Sequence, residues 1–69
     1  MFPVEVNIFD EDALGETMET MRTWLDHQHF EPSSFRYRLG AQLVVLRVDF
    51  SIEAQAAAFA KAFSGNVVA

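Results

Sequence analysis

The sequence predicts one α+β domain: a two-layer sandwich in the order β-α-β-β-α, with both helices on one face of a mainly three-stranded sheet. Three observations predict it. Residues 4–9, 35–39 and 42–50 alternate from one side chain to the next, which is the period of a half-buried strand. Residues 11–29 and 52–63 instead repeat their apolar positions at steps of three and four, the period of a helix packed along one stripe. The chain has 69 residues, enough for one domain spanning 1–69, and it carries no linker, internal repeat or low-complexity segment.

In the first strand Val4, Val6 and Ile8 share a face, and Pro3 stands at its start, where a missing N–H matters little. Asp10, Glu11 and Asp12 follow, carboxylates placed to cap a helix N-terminus and offset its dipole. Leu14, Met18, Met21 and Leu25 form the stripe of the first helix, with Ala13 and Trp24 beside it; Gly15 weakens the first turn. His27 and His29 sit in its last turn, and Pro32 pushes Glu31 out of helical geometry. Phe35, Tyr37 and Leu39 then alternate with Arg36 and Arg38. Val44, Leu46, Val48 and Phe50 alternate with Leu43, Val45, Arg47 and Asp49. Gly40-Ala41 between these runs suits a two-residue type II′ turn, which pairs Leu39 with Gln42, Tyr37 with Val44 and Phe35 with Leu46. Ser51 is the expected N-cap of the second helix. Ile52, Ala56, Phe59 and Phe63 are its stripe, and Gly65 its stop. Residues 67–69 form either a tail or a short edge strand.

The apolar run 42–50 is expected at the centre, with the first strand beside it and parallel to it. All the apolar-face residues of the strands, Tyr37 and Leu39 included, are expected under the helices. If Val67 and Val68 pair beside the first strand, the topology resembles a ferredoxin-like split βαβ sandwich. That resemblance rests on topology alone, and the fold hosts many functions.

Composition narrows the function classes. Ten acidic and five basic residues give a net charge of −5, which repels phosphate backbones and argues against nucleic acid or an anionic membrane as partner. No apolar run has the length of a membrane span, and residues 1–5 lack a signal-peptide pattern, so a cytoplasmic location is expected. The absence of cysteine removes disulfides and thiolate metal sites. A domain this short buries a modest share of its surface, yet 51% of its residues are apolar; both facts point to self-association.

No catalytic or metal-binding signature stands out. His27 and His29 are two apart, and that spacing diverges on a helix instead of converging on a metal. Asp10, Glu11 and Asp12 do not match a calcium loop, and capping accounts for them. An RNA-stacking sheet needs aromatics on its open face, where only Phe9 is expected. The informative surface is the sheet face without helices, where Phe9, Leu43 and Val45 lie among Arg36, Arg38 and Arg47. Those six are the expected contact residues of a non-enzymatic interaction or regulatory module. It would act as a homo-oligomer or with a protein partner, and without cofactor. The alternative is a ferredoxin-like domain binding a small ligand. A small enzyme using Asp10, Asp12 or His27, or a nucleic-acid binder, ranks below both.

Overall fold

In the computed structural model, which describes residues 1–68, the alternating runs become strands and the three-four repeats become helices. The order is β1 (Phe2–Ile8), a 3-10 turn (Glu11–Ala13), α1 (Leu14–Gln28), β2 (Ser34–Leu39), β3 (Val44–Phe50), α2 (Glu53–Phe63) and β4 (Asn66–Val67). The strands form one sheet in the order β2-β3-β1-β4, and every neighbouring pair is antiparallel. Both helices pack on one face, giving the expected two-layer α+β sandwich. The short fourth strand forms beside β1, as the ferredoxin-like topology requires. The Val68 N–H donates to the Pro3 carbonyl at 2.8 Å, and Ala69 lies outside the described residues.

The core is Val4, Val6 and Ile8 from β1, Val44, Leu46, Val48 and Phe50 from β3, Met21 and Leu25 from α1, and Ala56, Phe59 and Ala60 from α2. Trp24 ties the two helices together. Its ring meets Phe30, Phe59 and Phe63 edge-on at centroid distances of 5.7, 5.8 and 5.6 Å, the geometry that the aromatic quadrupole favours. Asp10 caps the 3-10 turn, accepting from the Asp12 N–H at 3.0 Å, so the acidic cluster does open the helical segment.

Several expectations are corrected. β1 lies beside β3 as expected but antiparallel to it. The crossover through α1 makes β1 and β2 run the same way; β3 returns between them and so opposes both. The β2-β3 hairpin closes through a four-residue loop, 40–43, and pairs Leu39 with Val44, Tyr37 with Leu46 and Phe35 with Val48. Gly40 does not adopt the positive φ that a type II′ turn demands; instead its N–H donates to the Leu43 carbonyl at 2.7 Å. Ser51 does not cap α2. Ile52 holds the cap position in an extended conformation, its carbonyl accepting from Gln55 and Ala56, so its side chain leaves the core stripe and Ala60 joins it.

Both helices end on a left-handed residue that is not glycine: His29 at φ 58° and Ser64 at φ 55°. Gly65 serves a different need. A Cβ there would meet Val6 Cγ2 at 2.8 Å and the Glu5 carbonyl oxygen at 2.9 Å, so glycine lets the chain pass close against β1. Tyr37 and Leu39 are 53% and 64% exposed, not buried. α1 reaches β2 where the Arg22 guanidinium lies 5.7 Å over the Phe35 ring, and the next two residues on that face extend past the contact.

Candidate functional site

The open face of the sheet is built by register. Side chains alternate across a pleated strand, so the residues of β1 and β3 that leave the core must point to the side without helices. Pairing stacks them in three rows: Pro3, Asp49 and Ser34; Glu5, Arg47 and Arg36; Asn7, Val45 and Arg38. The arginines therefore arise from strand alternation, and the cross-strand pairing sets which carboxylates they meet.

Asp49 is the hub. It is 6% exposed and is the one buried charged residue among those described. Its Oδ2 accepts from the Ser34 hydroxyl at 2.6 Å and lies 3.6 Å from the Arg36 guanidinium. Its Oδ1 accepts from Arg47 Nε at 3.4 Å. Arg47 also reaches Glu5 at 3.9 Å. The Ser34 hydrogen bond, followed by the bond and charge of Arg47 and the charge of Arg36, holds the Asp49 carboxyl below its ordinary value against the opposing effect of burial. Burial loses because Asp49 is shielded by its neighbours on a single-layer face, not sunk in a deep interior. The Asp49 carboxylate thus contacts two of the three arginines. Arg38 has no ion-pair partner among the described residues.

Of the six residues expected to make contact, Arg36, Arg38, Val45 and Arg47 sit side by side on β2 and β3. Together with Glu5 and Tyr37 they line a shallow depression of about 250 Å³. Val45 is half-buried between the arginines. Phe9, 75% exposed, and half-buried Leu43 flank the Ile8–Val44 pair at the hairpin end of the sheet, so they lie at the rim of this surface. Sequence reading missed Ser34, which lies one residue before the expected strand 35–39 and opens β2. The signal was a serine opposite an aspartate in register, legible only once the hairpin register is correct.

Charge is segregated. The open face holds three of the five basic residues and two of the ten acidic ones, for one net positive charge. The rest of the chain carries six net negative charges. His27 and His29 are both exposed at the end of α1, and among the described residues no three metal-ligating side chains cluster. Among the described residues no helix is long and apolar enough to cross a membrane. Compared with protein families, with curated proteins and with solved structures, the chain shows no significant match.

Proposed function

We propose that this chain is a non-enzymatic interaction module that self-associates through its open sheet face. The observation that carries the reading is the segregation of charge. Two copies meeting through their helical surfaces would bring strongly negative surfaces together. Two copies meeting through their sheet faces bring together nearly neutral surfaces, on which an arginine of one copy can reach Glu5 of the other. The face also supplies Val45 at its centre with Phe9 and Leu43 at its rim, apolar surface of the kind an interface core uses.

The test is Val45→Glu, which places a charge at the centre of the contact. The expected result is loss of the oligomer with unchanged circular dichroism. An oligomeric mass that survives the substitution removes this surface from the proposal.

A further inference from the structure

The two edges of the sheet are finished differently. β4 pairs with β1 over two residues and then stops, a short edge that offers little to a further strand. β2 is six residues long and unpaired on its outer side. Which of its backbone groups face outward follows from the ladder. The Pro3 carbonyl bonds to β4, so the even residues of β1 face β3, and the odd residues of β3 face β2. The Asp49 carbonyl accepting from the Ser33 N–H agrees with this. Arg36 and Arg38 therefore spend their backbone groups on β3, while Phe35, Tyr37 and Leu39 turn theirs outward. The exposed side chains of Tyr37 and Leu39 flank the same edge on the helix side, and the exposed Arg36 and Arg38 flank it on the open side.

We propose that the β2 edge is a strand-addition site for an extended acidic segment of another protein, which joins the sheet antiparallel to β2. Its apolar residues would cover Tyr37 and Leu39, and its carboxylates, at alternate positions on the other side, would meet Arg36 and Arg38. A second copy of this chain is the poorer occupant. The two-fold register that hydrogen-bonds the outward-facing Phe35, Tyr37 and Leu39 to their counterparts sets Arg36 of one copy directly opposite Arg38 of the other, and like charges so placed repel. Sheet-face self-association leaves the outward backbone groups of this edge open, while Arg36 and Arg38 flank both surfaces, so the peptide is titrated into the Val45→Glu chain as well as the parent.

The probe is an eight-residue peptide alternating glutamate with valine, blocked at both ends and titrated into the full chain by fluorescence anisotropy. Its controls are the lysine-valine counterpart and the glutamate peptide N-methylated at its valines, whose amides face β2 in an antiparallel addition. The glutamate peptide should bind, more weakly as salt rises, and shift the amide resonances of Phe35, Tyr37 and Leu39. Affinity should fall by about tenfold or more on N-methylation, with the lysine peptide, and with the Arg36→Gln, Arg38→Gln double variant. Absence of binding, equal binding of the glutamate and lysine peptides, or full binding of the methylated peptide would overturn the proposal. The last result would mean ion pairing without strand addition. The double variant's fold is checked by its thermal melt. Val45→Glu frees Arg36 and Arg38 from any sheet-face contact, so absence of binding to that variant is failure of strand addition alone, whereas the sheet-face contact is read separately by molar mass.

Discussion

Replacing Asp49 tests the network that organises the open face. In Asp49→Ala the Ser34 hydroxyl loses a bond to an ionised acceptor, an interaction of about 1.5–3 kcal/mol. The arginine contacts add about 0–1 kcal/mol each, because both guanidinium groups are substantially exposed. The loss also leaves Arg36 directly opposite Arg47 with no carboxylate between them, a repulsion of about 0.2–1 kcal/mol. The total is about 2–6 kcal/mol, a large fraction of the roughly 3–10 kcal/mol expected for a chain of this length. Asp49→Asn keeps the shape and a neutral acceptor for Ser34, so it should cost about half as much. Urea unfolding followed by Trp24 fluorescence at one fixed protein concentration measures both variants. With a slope near 1 kcal/mol per M, the midpoint of Asp49→Ala falls by about 2 M or more. The pH dependence supplies a second arm. A carboxyl whose pKa is lowered on folding contributes stability that is fully present above its unfolded value and is lost as pH falls through the folded value. The gap between parent and Asp49→Asn should therefore be constant above about pH 5 and close progressively below 3.8. Variants within about 0.5 kcal/mol of the parent at neutral pH, or a gap that stays open in acid, would refute the argument.

The remaining predictions concern backbone geometry and the two proposed contacts. Gly65→Ala drives a Cβ to 2.9 Å from the Glu5 carbonyl oxygen, which cannot rotate away, and should destabilise by about 1–2 kcal/mol in a thermal melt. Ser64→Gly removes the left-handed strain at the end of α2, and Gly15→Ala fills open space in the first turn of α1. Each should raise the melting temperature, the combination by about 1–2 kcal/mol of stability. Val45→Glu should abolish self-association with the helical signal intact, read as molar mass. The Arg36→Gln, Arg38→Gln variant should lose the glutamate-valine peptide, read by anisotropy.

The elements and their faces were legible in the sequence because period-two and three-four patterns encode burial directly. The hairpin register was not. A two-residue slip leaves every side chain on its own face, so pairing Tyr37 with Val44 or with Leu46 satisfies the same pattern. The loop decides between them, and Gly40 suggested a two-residue turn whose φ it does not adopt. Gly65 was expected to end α2 through its freedom at positive φ. Ser64 takes that conformation, and Gly65 is glycine because β1 passes close by, a tertiary fact invisible to local reading. Tyr37 and Leu39 misled because alternation tells which side of a sheet a residue faces, but not whether a helix extends far enough to cover it. In the candidate site, Arg36, Arg38, Val45 and Arg47 were found by alternation alone. The role of Ser34 in holding Asp49 needed the true register.

Molar mass by light scattering across a dilution series, at near-physiological salt, reads self-association through the sheet face itself. The mass should rise with concentration toward twice the 7.8 kDa of the chain, fall to a single chain in Val45→Glu, and be unaffected by Tyr37→Ser at the β2 edge. A mass of one chain at every concentration, or an oligomer that Tyr37→Ser dissolves and Val45→Glu spares, would contradict it.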